Sequence, residues 1–320
     1  MRDEKQAVFS SSLIPHPSSF EVRVPASTSN LGAGFDCFGL ALRLYLTVRA
    51  RVMSGAREAC RVRACGSEGA GVLPLDEGNL IYRAMCWTAE RLDQELPPMR
   101  LAVRNEIPVG RGLGSSAAAI VAGIKLSSLL CGRELDAKTL LAYATELEGH
   151  PDNAAPAIYG GWAVTCCGED GRVLAVRRSW PGDIKILIVS PDAALDTKRA
   201  RAALPRMVSH ADAVYNLQRA ALFTVAIEAR EYSVLWEAMR DRLHQERRAD
   251  LLPGLREALE TPRQPGLLGV ALSGAGPSVL ALVQDNFDRI GASIADCFHR
   301  RGLRTDMRLL KVDEAGLKVS

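Results

Sequence analysis

The chain has 320 residues, about twice the length of an average domain, so we expect two domains with large buried cores. Hydrophobic residues make up 48% and charged residues 24%, which excludes an intrinsically disordered or fibrous protein. The 40 Lys and Arg residues barely outnumber the 37 Asp and Glu residues, and the net charge is +3. We therefore expect no nucleic-acid partner, and any anion must be bound by locally placed groups.

The distribution of apolar residues and cysteines predicts a cytoplasmic protein. No apolar run reaches the ~18 residues that a membrane span needs, and the N-terminus lacks the pattern of a secretion signal. We therefore expect a soluble chain with no membrane partner. The eight cysteines include no C-x-x-C pair, which favours reduced thiols and argues against a zinc site.

The first part of the chain reads as a polar tail followed by mixed strands and helices. Residues 1–20 contain three consecutive serines and two prolines, so we expect a disordered tail and an ordered chain from Glu21. Asn79 is a candidate N-cap for the helix that follows it. The predicted elements are strands at 21–27 and 40–52, a helix at 79–95, a strand at 100–108, helices at 115–130 and 134–148, and strands at 161–167, 172–178 and 184–190.

We place a domain boundary near residue 180, because the pattern changes there to longer helical stretches. The predicted elements beyond it are helices at 206–231 and 233–247, a strand-turn-strand segment at 267–283, a helix at 286–301 and a strand at 304–312. Helices and strands do not alternate regularly along the chain. This favours an α+β fold over a doubly wound parallel sheet.

The glycine-rich segment at 108–116 follows a predicted strand and opens a predicted helix. Backbone N–H groups and the positive end of the helix dipole therefore point at this loop, which predicts an anion site. No Lys-Ser or Lys-Thr follows the glycines, so the loop is not a P-loop. Gly112 to Ala117 do match G-x-G-x-x-A, but the preceding strand alternates polar and apolar residues, which argues against a dinucleotide-binding fold. The alternative for Ser115 and Ser116 is a purely structural role as N-caps.

Two further glycine clusters lie far from this loop in the sequence. Residues 30–36 connect two predicted strands and place Asn30 and Asp36 near each other. Residues 273–278 connect the two strands of the 267–283 segment. Each could be an ordinary turn, but three such clusters together indicate a site.

Five segments resemble the small-molecule kinases of the GHMP superfamily, and within it the homoserine kinase family. Residues 25–36 (PASTSNLGAGFD), 108–118 (PVGRGLGSSAA) and 272–278 (LSGAGPS) are similar to the three ordered superfamily motifs. Residues 148–156 (EGHPDNAAP) and 248–254 (RADLLPG) are similar to homoserine kinases in particular. The resemblance implies a two-domain α+β fold. Its N-terminal ATP-binding domain (21–180) would be like ribosomal protein S5 domain 2, and its C-terminal domain (181–320) would be ferredoxin-like.

The resemblance also implies an activity. Such enzymes transfer the γ-phosphoryl group of ATP, with Mg²⁺, to the side-chain hydroxyl of L-homoserine in threonine biosynthesis, often as homodimers. The implied nucleotide-binding residues are Asn79, Pro108, Gly110, Arg111, Gly112, Leu113, Gly114, Ser115, Ser116 and Ala117. The implied homoserine-binding residues are Asn30, Asp36, His150, Asn153, Thr197, Arg201, Arg248 and Gly274.

The family's metal ligands correspond to Ser116 and a glutamate ahead of His150. We favour Glu148 over Glu146, and we name Ser116, Glu148 and Asn153 as the catalytic residues. Related GHMP kinases carry an aspartate at the position of Asn153, and an amide cannot act as a general base. We therefore assign no base and expect positioning, Mg²⁺ and the glycine loop to supply most of the rate.

The chemistry of the substrate agrees with these residue types. A guanidinium group binds a carboxylate through two donors, as expected of Arg201 and Arg248, and Asp36 can accept hydrogen bonds from an ammonium group. The alternatives are that these arginines are surface charges, that His150 is a structural histidine and that Asn79 only caps its helix. The alternative functions are a kinase for another small hydroxylated amino acid, a non-catalytic sensor of ATP and an amino acid, or an NAD(P)-dependent oxidoreductase.

Overall fold

The computed structural model describes residues 19–53, 58–65 and 74–320. Residues 1–18 of the predicted tail lie outside the described residues. The first strand begins at Ser19, two residues before the predicted start at Glu21. Among the described residues, no helix combines the length and the apolar character needed to cross a membrane.

Eleven strands and ten α-helices form the described part of the chain. The strands are β1 (Ser19–Asn30), β2 (Gly34–Val52), β3 (Cys60–Cys65), β4 (Met99–Asn105), β5 (Trp162–Cys167), β6 (Val173–Arg178), β7 (Lys185–Pro191), β8 (Leu267–Leu272), β9 (Val279–Val283), β10 (Thr305–Leu310) and β11 (Lys318–Val319). The helices are α1 (Leu80–Arg91), α2 (Ser115–Leu130), α3 (Ala137–Glu148), α4 (Ala154–Tyr159), α5 (Thr197–Ala202), α6 (His210–Ala229), α7 (Leu235–Ala238), α8 (Gln245–Ala249), α9 (Leu255–Leu259) and α10 (Phe287–His299).

The first sheet contains seven strands, α2 and α4 pack against it, and α1 packs on α2. Its main path is β11-β1-β2-β4-β3, and β5 pairs with both β2 and β6. In β4 every second side chain is buried, as the alternating sequence predicts. The helix α2 lies close to α1 because it carries small residues: a Cβ at Gly123 would lie 2.4 Å from the carbonyl oxygen of Ile81. The strand after β4 in the chain, β5, pairs with β2 and not with β4. The glycine loop is therefore not part of the βαβ unit that a dinucleotide-binding fold requires.

The second sheet has four antiparallel strands in the order β10-β7-β9-β8. Numbered along the chain this order is 4-1-3-2, the ferredoxin-like arrangement, and α9 and α10 pack against it. The α+β prediction is confirmed. The exact domain limits stay a prediction: β6 and β7 flank residue 180, and β11 returns from the second half of the chain to pair with β1.

The predicted helix at 233–247 is wrong. A 3₁₀ turn at Tyr232–Val234 precedes α7, and a turn separates α7 from α8. The carboxylate of Asp241 accepts hydrogen bonds from the backbone N–H groups of Leu243, His244 and Gln245. An aspartate that bonds nearby N–H groups in this way competes with helical hydrogen bonds, and here it interrupts the helix.

Candidate active site

The three glycine-rich segments meet at one cavity between the two sheets. The turn between β1 and β2 is joined to the turn between β8 and β9, because the amide of Asn30 donates to the carbonyl of Gly274 over 2.9 Å. Ser273 Oγ donates to the carbonyl of Gly112 over 2.7 Å, which ties the second turn to the 108–116 loop. The lining comprises Ser29, Asn30, Asp36, Pro108, Gly110, Arg111, Gly112, Leu113, Gly114, Ser115, Ser116, Glu148, His150, Asp152, Asn153, Thr197, Arg201, Arg248, Gly274 and Ala275.

The backbone of the 108–116 loop presents donors to this cavity. The carbonyls of residues 110–113 accept hydrogen bonds from neighbouring segments, which directs them into the protein. Within the described part of the chain, no N–H group of residues 109–117 donates a hydrogen bond. Gly110, Gly112 and Gly114 have φ values of +69°, +75° and +69°, which side chains disfavour. These unpaired N–H groups at the start of α2 are suited to an anion.

A hydroxyl and a carboxylate face each other beside the start of α2. Ser116 Oγ donates to Glu148 Oε2 over 2.8 Å. Burial raises the pKa of Glu148, although the Ser116 hydrogen bond opposes this, and no described Lys or Arg forms an ion pair with it. Glu146 instead points to the surface and pairs with Arg91. The geometry therefore supports the choice of Glu148 over Glu146 as a cation ligand.

Arg201 and Asp36, which both line the cavity, form an ion pair with two hydrogen bonds. The Nη1 and Nη2 atoms of Arg201 lie 3.0 and 2.9 Å from the two carboxylate oxygens of Asp36. Arg201 comes from α5 and Asp36 from β2. The pair places a cationic group and an anionic group together at one wall.

Arg248, on α8, is almost fully buried and has no carboxylate within ion-pair distance among the described residues. Its Nε donates to the carbonyl of Ala200 over 3.2 Å, and its Nη1 to the carbonyl of Gly274 over 3.2 Å. Burial lowers the pKa of Arg248 to about 10, and the nearby charge of Arg201 acts in the same direction. The guanidinium group is therefore still protonated at neutral pH, and an anionic ligand would stabilise it.

A hydrogen-bonded chain of side chains lines the cavity next to Asp36. His150 Nδ1 bonds to Asp152 Oδ1, which also accepts from the amide of Asn153 over 3.1 Å. The other groups of the Asn153 amide bond to Ser27 Oγ and Ser29 Oγ, both at 2.9 Å. Burial by itself would lower the pKa of His150, but the hydrogen bond and charge of Asp152 outweigh it and raise this pKa. Atoms of Asp36, His150 and Asp152 lie within 4.8 Å of one another.

Most of the residues that the sequence assigned to nucleotide, substrate or metal binding line this cavity, and two do not. Asn79 is buried at the start of α1, where its side chain accepts from the N–H of Ile81 and donates to the carbonyl of Pro74. Ala117 is buried inside the fold. Nucleotide contacts by these two residues stay a prediction. Sequence reasoning did not assign Ser29, Asp152 and Ala275 to the site, although each adjoins a motif residue.

Comparison with known proteins agrees with this architecture. Residues 79–161 match the model of the GHMP kinases N-terminal domain, and residues 223–299 match that of the GHMP kinases C-terminal domain. The homoserine kinase of Desulfitobacterium hafniense is 41% identical over 299 residues, covering 93% of this chain and 99% of that protein. The homoserine kinase of Deinococcus radiodurans is 42% identical over 306 residues, covering 94% and 96%. The chain belongs to the homoserine kinase family.

Solved structures of homoserine kinases have the same fold. The crystal structure of the homoserine kinase from Cytophaga hutchinsonii is 27% identical and has a TM-score of 0.81, with 98% of this chain and 100% of that chain covered. The two-domain GHMP kinase fold implied by the sequence is therefore confirmed. GHMP kinases use ATP with Mg²⁺.

Proposed function

We propose that this member of the homoserine kinase family transfers the γ-phosphoryl group of ATP to the side-chain hydroxyl of L-homoserine, giving ADP and O-phospho-L-homoserine. One observation carries the proposal. The unpaired N–H groups of residues 110–116 and the charged groups of Arg201, Arg248 and Asp36 line one cavity. The first set suits a polyphosphate and the second suits a zwitterionic amino acid.

The triphosphate of ATP would lie against the 108–116 loop. The N–H groups there are fixed before a ligand arrives, because their carbonyls are held by neighbouring segments. Donors that need no rearrangement stabilise the charge of the transferring phosphoryl group at little cost. A side chain at Gly112 would collide with the backbone of Ser273, since its Cβ would lie 2.1 Å from that carbonyl oxygen.

Ser116 and Glu148 suit a bound Mg²⁺. Both offer hard oxygen ligands, and their 2.8 Å separation places them on one side of the cavity. The Glu148 carboxylate lacks an ion-pair partner among the described residues. A bound cation would therefore offset the free-energy cost of burying its negative charge. When bound, Mg²⁺ neutralises phosphate charge.

The amino-acid substrate would bind on the side of Arg201 and Arg248. Its carboxylate would accept hydrogen bonds from the two guanidinium groups, and its ammonium group would donate to Asp36. Arg248 gains a counter-charge in this arrangement, while Asp36 and Arg201 exchange part of their mutual contact for the substrate's opposite charges. The arrangement therefore matches a zwitterion better than a neutral alcohol.

The Asn153 amide positions groups and does not remove a proton. Its oxygen and both hydrogens already have partners in Ser27, Ser29 and Asp152. We therefore assign no protein base, and the departing hydroxyl proton goes to an oxygen of the transferred phosphoryl group. The loose transition state of phosphoryl transfer needs little early charge on the nucleophile.

A coupled ADP-release assay over L-homoserine, L-threonine, L-serine and small sugar alcohols tests the proposal. We expect the highest kcat/KM for L-homoserine, because only it combines the zwitterion with a hydroxyl at the right reach. A higher value for threonine or serine would favour the alternative amino-acid kinase. No acceptor-dependent ADP release with any compound would favour the sensor, although the loop glycines and Ser116 that a sensor would be expected to lose are present.

We also propose that the protein is a homodimer formed through α6. A stripe of apolar residues on this helix is exposed: Ala213, Leu217, Ala221 and Val225. Two antiparallel copies would place Leu217 against Ala221, a large side chain against a small one, so the two surfaces are complementary in size. Light scattering on a sizing column should give a dimer for the wild type and a monomer for Leu217→Glu. A monomeric wild type would overturn this proposal.

A cytoplasmic location remains part of the proposal. All eight cysteines carry free thiols. Chains in reducing compartments keep their thiols in this state.

A further inference from the structure

His244 lies directly behind the amino-acid side of the cavity and is completely buried. It precedes α8, the helix that carries Arg248. Its Nε2 lies 2.9 Å from the carbonyl oxygen of Gly32, and its Nδ1 lies 3.3 Å from Arg248 Nη1. The ring stacks on Phe35 with 5.1 Å between ring centroids. His244 is thus between the turn that holds Asn30 and Asp36 and the helix that holds Arg248.

The two contacts define which ring nitrogen carries the proton. A carbonyl oxygen only accepts, so Nε2 must be protonated and donate to Gly32. A guanidinium group only donates, so Nδ1 must be unprotonated and accept from Arg248. Burial lowers the pKa of His244, and the charge of Arg248 also lowers it, whereas Asp241 and Asp36 act in the opposite direction. The neutral ring is therefore the form that satisfies both neighbours.

The backbone around His244 is itself fixed. The carboxylate of Asp241 accepts from the N–H of His244 over 2.8 Å and from the N–H of Gln245 over 2.7 Å. The amide of Asn216, on α6, donates to the same carboxylate over 2.7 Å. The imidazole is therefore anchored from its own backbone as well as from its ring.

We propose that His244 is a positioning residue for the amino-acid substrate. It fixes the position of the Arg248 guanidinium group relative to the turn between β1 and β2, which adjoins Asp36. The inference rests on the proposed function, because Arg248 and Asp36 bind opposite ends of the same zwitterion there. Among the described residues, Arg248 donates two other hydrogen bonds, to the carbonyls of Ala200 and Gly274, and its guanidinium carbon lies 5.3 Å from the centre of the Phe35 ring. Without His244 the guanidinium group would be less well oriented, and the turn would lose its contact at Gly32.

Two substitutions separate this role from simple packing. His244→Phe keeps an aromatic ring to stack on Phe35 but removes both hydrogen bonds. We expect it to raise the KM for L-homoserine about tenfold, with unchanged KM for ATP and similar kcat, because one hydrogen bond to a charged group is lost. His244→Gln retains one donor and one acceptor, so its KM should stay within about threefold of the wild type. His299→Phe, a hydrogen-bonded histidine outside the cavity, serves as the control and should leave all constants unchanged.

The outcomes distinguish the positioning role from the proposed function. If wild-type protein phosphorylates L-homoserine and His244→Phe has an unchanged KM for it, the positioning role is wrong and the function stands. An equal rise in the KM for L-homoserine in His244→Phe and His244→Gln would also overturn the positioning role, since the hydrogen bonds of the side chain would then make no difference. If the wild type does not phosphorylate L-homoserine, the proposed function itself fails.

Discussion

Replacing Arg248 by leucine tests how the site binds a carboxylate. Arg248 is 2% exposed and donates only to carbonyls and to His244, without a carboxylate partner in the described structure. A buried cation without a counter-charge is costly to the ligand-free protein. We therefore expect Arg248→Leu to leave the melting temperature of the ligand-free protein unchanged or higher.

The same substitution should strongly weaken substrate binding. A hydrogen bond to a charged group contributes about 1.5–3 kcal/mol, and each 1.4 kcal/mol corresponds to a factor of about ten. We thus expect the KM for L-homoserine to rise roughly 10- to 100-fold, with an almost unchanged KM for ATP. Arg248→Lys should recover only part of this loss, because an ammonium group cannot reproduce the planar pair of donors.

The assay is ADP release with varied L-homoserine or varied ATP, and Arg247→Leu is the matched control. Arg247 is the neighbouring residue on α8 but is exposed, and its replacement should change neither KM. The substrate analogue 3-amino-1-propanol lacks the carboxylate. It should be a poor substrate for the wild type. Its KM should differ much less between the wild type and Arg248→Leu than the KM for L-homoserine does.

Equal losses on L-homoserine and on the analogue would refute the reasoning. Arg248 would then either stabilise the fold or bind the phosphates of ATP. A lowered melting temperature of the ligand-free variant would indicate the role in stability. A parallel rise in the KM for ATP would indicate that Arg248 binds the phosphates of ATP.

Three further outcomes are expected. Ser116→Ala should lower kcat by at least one to two orders of magnitude, about 1.4–2.8 kcal/mol, and unchanged turnover in the folded variant would exclude a metal role. MgATP should raise the melting temperature in thermal-shift measurements, whereas NADP should not, and a shift with NADP alone would favour an oxidoreductase. The raised pKa of His150 means that its pairing with Asp152 stabilises the fold fully below about pH 6.5 and less as the pH rises through the folded-state pKa. His150→Gln should therefore reduce the free energy of unfolding more at about pH 5.5 than at about pH 9 in denaturant titrations, and a pH-independent loss would contradict this.

The sequence predicted the elements whose pattern is local. The helix α2 begins and ends at the predicted residues, because a glycine-rich loop precedes it and a dense run of small apolar residues composes it. The N-cap Asn79 was also predicted, and its side chain does accept from Ile81. The break between α7 and α8 was not predicted, because the apolar pattern does not show that the Asp241 carboxylate accepts from the N–H groups of His244 and Gln245.

The site was predicted less completely, because several of its groups act through distant partners. Motif similarity indicated Arg201 and Arg248, but only the fold shows that Arg201 is already paired with Asp36 and that Arg248 has no carboxylate. Spacing could not distinguish Glu146 from Glu148. The packing of α3 against α2 does so by turning Glu148 toward Ser116. Asp152 and His244 act through His150 and Arg248, and no sequence motif indicated these pairs.

Direct identification of the product tests the central claim best. Incubation of the wild-type protein with MgATP and L-homoserine, followed by phosphorus and carbon NMR, shows which hydroxyl is phosphorylated. We expect one phosphomonoester on the side-chain hydroxyl of homoserine for each ADP released. ADP accompanied only by inorganic phosphate, or no phosphorylated amino acid at all, would contradict the assignment of this cavity to phosphoryl transfer onto homoserine.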